Sequence, residues 1–272
     1  MSNHFDYMPK PEGWRPPDPM AETPQEPEKM APESVAAEAA SMAGVLSGDK
    51  AKTPVSDRPV QPEDTTPLER FITRCANVIS WVFVPLLMPV YGIMLIFSLS
   101  FLRFAPFHTK LVFTLIVFGA NFLVPMLLVL LLKKLGMIED IGLNGRKERL
   151  IPYIISILCL GGTGLFLYLK MAPLWVAMFY VGGALAGFVN LLVNFRWKIS
   201  AHAAGIAGVV AMLIQVVKEG PASEGMVWWI VGAILMAGLL GSARIWLGRH
   251  TLMQVVAGSA VGFLCVWGLS LI

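Results

Sequence analysis

The chain is short of ionisable side chains. Only 14% of its 272 residues are Asp, Glu, Lys or Arg, against about 25% in soluble domains. Acid is scarcest beyond residue 67, where six carboxylates remain: Glu69, Glu139, Asp140, Glu148, Glu219 and Glu224. No paired aspartates stand in the DxxxD-like spacing that a magnesium-dependent prenyltransferase would need, and no convincing metal-ligand set is visible. The three cysteines, Cys75, Cys159 and Cys265, lack metal-ligand or redox spacing. They read as small apolar side chains. The N-terminus lacks the basic start and apolar core of a signal peptide.

What the chain has instead is apolar length. It is 56% hydrophobic, and from Val78 onward the apolar runs are long enough to cross a hydrocarbon core, which takes about 20 residues of helix. Spans are expected near 78–102, 111–134, 150–169, 173–194, 200–217, 226–246 and 252–272. The expected fold is therefore all-α, a polytopic transmembrane bundle of six to seven spans. Pro85, Pro89 and Pro125 fall inside spans and predict kinks, which a bilayer tolerates when neighbouring helices cover the freed carbonyls. The small-residue runs GGTG (161–164), GGALAG (182–187), AHAAGIAG (201–208) and AGLLGSA (237–243) permit close helix packing.

The first 67 residues have a different character. They hold 12 acidic and 6 basic side chains and 12 of the 19 prolines. Such a segment buries too little apolar surface to offset its ordering entropy, so 1–67 is expected to be a disordered tail, with a transient helix at 32–46. Residues 68–272 form the membrane domain.

Parity of the spans places three polar clusters on the membrane face that also holds the tail: the stretch 133–150, Lys198 with His202, and Arg244 with His250. Eleven basic residues flank that face against four on the other. Charge bias would make it cytoplasmic. Basic residues confined to short membrane-edge loops do not suit nucleic acid; they suit anionic headgroups or a phosphate.

The chemistry concentrates in ARIWLGRHTLMQ (243–254) and WKISAHAAG (197–205). His250 and Gln254 are one helical turn apart, so the amide oxygen can accept from one ring nitrogen and leave the other directed outward. That is the arrangement of an oriented nucleophile or base. Arg244 offers planar forked donors suited to a tetrahedral oxyanion. Ser200 opens a helix whose first amides favour an anion. His202 lies just inside the same start, and Lys198 adds positive charge. Together they make a phosphate-sized cradle with two imidazoles. A phosphoryl transfer there needs no metal and no cofactor: His250 attacks phosphorus, His202 serves as acid and then base, and the cations hold the equatorial oxygens. Asn190 and Asn194, four apart at a span end, are read either as cavity lining or as helix-packing amides.

These residues resemble the type 2 phosphatidic acid phosphatase (PAP2) superfamily over about 140–262. Ile199-Ser200-Ala201-His202 stands where the family has Pro-Ser-Gly-His. Ala243-Arg244, His250 and Gln254 stand where it has Ser-Arg, five residues, His, three residues, Asp. The lysine and Arg-Pro motif is poorly kept in GRKERLIP (145–152), where Lys147 and Arg149 are the candidates for phosphate contact. The resemblance implies His250 as nucleophile, His202 as acid, and Arg244 with Ser200 as phosphate ligands. It implies a phosphohistidine-forming membrane phosphatase whose substrate is a lipid phosphate or polyprenyl diphosphate, with an active face turned away from the cytoplasm, against the charge bias. The expected setting is the inner (cytoplasmic) membrane of a bacterium. Gln254 in place of aspartate favours an alternative, a catalytically weakened protein that binds or transports lipid phosphates.

Overall fold

The computed structural model describes residues 66–136, 150–220 and 224–271. The expected tail disorder, the transient helix at 32–46, and Lys147 and Arg149 lie outside the described residues. Among the described residues every regular element is helical. Seven helices are long and apolar enough to cross a membrane, and they follow the seven expected spans closely from the third onward.

The first span differs most. Its helix begins at Pro67, eleven residues before the expected start (α1, Pro67–Val82). Hydropathy located the apolar run, but the helix start is set by capping chemistry. Thr66 Oγ1 accepts from the Glu69 amide while Glu69 reaches back to the Thr66 amide, with Pro67 opening the first turn. The chain breaks at Phe83–Val84, passes through a short 3₁₀ turn at Pro85–Leu87, and resumes as α2 (Met88–Leu99). Both prolines remove amide donors, as expected of a kink. The Tyr91 hydroxyl donates to the Val82 carbonyl at 2.9 Å and so satisfies a group freed by the break.

The second span is α3 (Phe107–Phe118) and α4 (Val124–Lys134), joined by a π-helical segment, Gly119–Leu123. Pro125 supplies no amide to the Asn121 carbonyl, and the Val124 amide bonds back to Gly119 instead. One wide turn results. The remaining spans are α5 (Leu150–Leu169), α6 (Leu174–Asn194), α7 (Ala201–Lys218), α8 (Met226–Trp246) and α9 (Leu252–Leu269).

α7 is the hub. Two-thirds of it is buried inside the protein, against about a fifth of α5, α8 or α9. It packs on α9, α8, α2 and α6. Its contact with α9 depends on a G-x-x-x-G pair: a Cβ at Gly258 would run into the Ser200 carbonyl, and one at Gly262 into the Ala204 carbonyl. Without side chains there, the two backbones approach closely enough for dispersion to act along the whole seam. The core continues through Ile93, Ile96, Tyr180, Met212 and Leu240, with the Tyr180 hydroxyl donating to the Pro89 carbonyl at 3.0 Å.

Candidate functional site

The α8–α9 connection shows why an arginine and a histidine six positions apart meet. Gly248 adopts φ 63°, a left-handed conformation that glycine takes without Cβ strain. Its amide donates to the Ile245 carbonyl at 2.9 Å, and the Arg249 amide to the Arg244 carbonyl at 3.1 Å. This is a Schellman cap closing α8. The His250 amide also reaches the Arg244 carbonyl, at 3.3 Å. The turn therefore holds His250 against the residue that provides the guanidinium.

His250 is 6% exposed. Its Nδ1 lies 3.2 Å from Gln254 Oε1. The same oxygen accepts the Thr251 amide at 3.2 Å, as half of the capping box that opens α9. An amide oxygen only accepts, so Nδ1 carries the hydrogen and Nε2 carries the lone pair.

A second bond joins the two histidine segments. The Ser200 amide donates to the Gln254 carbonyl at 3.2 Å. Ser200 is wholly buried, and its Oγ accepts from the Ala203 amide at 3.4 Å as the N-cap of α7. Two residues on, His202 Nε2 lies 3.2 Å from the Ser80 carbonyl. A carbonyl accepts, so this nitrogen is the donor.

These parts surround one cavity of about 620 Å³. His202, His250, Arg244 and Arg249 all line it, so both imidazoles open on the same space. Ser200 and the half-buried Lys198 lie outside the lining. Asn190, 2% exposed, lines the cavity, whereas Asn194 is buried outside it. Among the described residues no group of three His, Cys, Asp or Glu is placed to hold a metal ion.

Three lining residues went unnoticed in the sequence: Asn77, Ser80 and Trp81, all from α1. They approach the histidines only through the tertiary fold, Ser80 being 122 positions from His202 along the chain. The available hint was local: Thr73, Asn77 and Ser80 recur at i, i+4 and i+7 on an amphipathic helix, and Thr73 Oγ1 accepts from Trp246 Nε1 at 3.1 Å.

The chain has no significant match among curated proteins and none among solved structures. One family model does match, that of the PAP2 superfamily, over residues 188–272. The matched stretch, less than half of the chain, carries Lys198, Ser200, His202, Arg244, His250 and Gln254, and over it the protein is similar to the PAP2 superfamily.

Proposed function

We propose that the protein is a lipid phosphate phosphatase that works through a phosphohistidine on His250, without a metal. The observation that carries the reading is the pairing of a tautomer-fixed His250 with His202, Arg244 and Arg249 around one cavity.

In the first step the Nε2 lone pair of His250 forms a bond to phosphorus while the bond from phosphorus to the lipid oxygen breaks. The departing oxygen takes a proton from His202. The Ser80 carbonyl engages Nε2 of that ring, so exchange with the leaving oxygen runs through Nδ1. In the second step His202 removes a proton from water, the oxygen attacks phosphorus, and the bond to His250 breaks to release inorganic phosphate. Arg244 and Arg249 take the equatorial oxygens, whose charge rearranges during transfer. The first amides of α7, behind the Ser200 cap, add partial positive charge. By this reading Lys198 stands at the rim of the anion, Ser200 acts through the helix start that it caps, and Lys147 and Arg149 are further phosphate ligands.

The test is release of inorganic phosphate by the purified protein with EDTA present, screened on phosphatidate, phosphatidylglycerophosphate, polyprenyl diphosphate and a lipid A phosphate. Release from at least one, abolished by His250→Ala, is expected. Silence across the panel overturns the reading.

Gln254 favours a second reading, a lipid-phosphate binder or transporter that retains the cradle without turnover. An amide fixes the ring tautomer but cannot stabilise an imidazolium by charge. That reading expects lipid phosphate to bind while no phosphorylated His250 can be trapped.

A further inference from the structure

The cavity does not end at the histidines. It continues into the bundle to Asn121 in the π-helical turn of the second span. Asn121 sits in the middle of the second span and faces α5, where its Nδ2 donates to Thr163 Oγ1 at 2.8 Å.

The carboxamide is oriented, and half of it lacks a partner. Nδ2 donates to both Thr163 Oγ1 and the Val117 carbonyl. Turning the amide over would set its oxygen against that carbonyl, so its two ends are distinguishable. Oδ1 is buried and accepts no hydrogen bond in the protein, in a side chain only 3% exposed. A polar acceptor left so deep in a membrane protein is costly unless a donor reaches it.

Resting on the phosphatase or binder reading of the same cavity, we propose that Asn121 is the floor of a second subsite, which accepts a hydrogen bond from the lipid itself. With phosphate held between His202 and His250, Asn121 meets the part of the lipid that follows the phosphate into the same cavity. The ligand class is a lipid phosphate that carries a hydroxyl or amide N–H there. Diacyl phosphatidates, which offer only ester acceptors, and polyprenyl phosphates, which offer no donor, leave Oδ1 unsatisfied. The wide π turn bears on this placement: it contains Asn121, four residues before Pro125, and takes it off the regular helical register.

The test uses the full-length protein and non-hydrolysable phosphonate analogues of two lipids with matched chains, ceramide 1-phosphate and phosphatidate. Binding of the ceramide analogue about tenfold tighter is expected, the scale of leaving one buried acceptor unmet. Asn121→Leu is expected to narrow the ratio to within about twofold. Should that variant fail to fold, Thr163→Val releases one of the bonds that orient the amide and must also shrink the ratio. Equal binding by the wild-type protein, or a preference that survives both substitutions, overturns the subsite. Phosphate release is measured separately: its absence with the preference intact defeats the phosphatase reading alone, and its presence without preference defeats the subsite alone.

Discussion

The carboxamide oxygen of Gln254 accepts from the Thr251 amide and from the His250 ring, so capping α9 and choosing the histidine tautomer are one act. Gln254 is therefore a positioning residue, acting on the reaction through His250. Gln254→Leu is expected to lower kcat at least tenfold with little change in KM, because the loss concerns ring orientation more than substrate binding. Gln254→Asp adds the charge that the amide withholds. A rise of about tenfold or more in kcat, some 1.4 kcal/mol of barrier, is expected if the natural site is electrostatically weakened. No gain beside a fast wild-type enzyme would show that the amide suffices.

At the scale of elements, the seam between α7 and α9 decides whether the two histidine segments share a site. Gly262 faces the Ala204 carbonyl with no room for a methyl group. Gly262→Ala is expected to destabilise the protein by about 1–3 kcal/mol through overpacking, measured as thermal unfolding in detergent. Gly232→Ala, in an open position on α8, serves as the comparison, and its helix propensity gain of about 1 kcal/mol points the other way. Similar losses in both would argue that the seam does not depend on close backbone contact. The Schellman turn at Gly248 belongs to this scale too. A side chain at φ 63° strains the connection by about 1 kcal/mol, and Gly248→Val is expected to reduce kcat/KM by moving Arg244 relative to His250.

For the whole molecule, seven spans fix which ends of the helices share a membrane face. Single cysteines placed at Lys198 and at Arg249 are expected to react with a membrane-impermeant thiol reagent from one side, and cysteines at Lys170 and Lys218 from the other. Labelling of Lys198 and Arg249 positions from opposite sides would break the common site. The same experiment in oriented membranes decides between the cytoplasmic face favoured by basic residues and the opposite face implied by the family resemblance.

The class of fold and the position of most spans are legible in the sequence, because a bilayer accepts only long apolar helices and these can be counted without knowing how they pack. The sequence also placed His250 beside Gln254, a contact within one helical turn, and put His202 at a helix start. The first helix escaped at its beginning because Thr66 and Glu69 specify a cap that hydropathy does not register. That α1 closes the site, with the Ser80 carbonyl on His202, and that the cavity reaches Asn121 emerges once the helices are packed together. Those contacts join residues far apart in the chain, and they arise from backbone approach at Gly258 and Gly262, a break at Pro85 and a wide turn before Pro125. Such features depend on which helices become neighbours, which local periodicity leaves open.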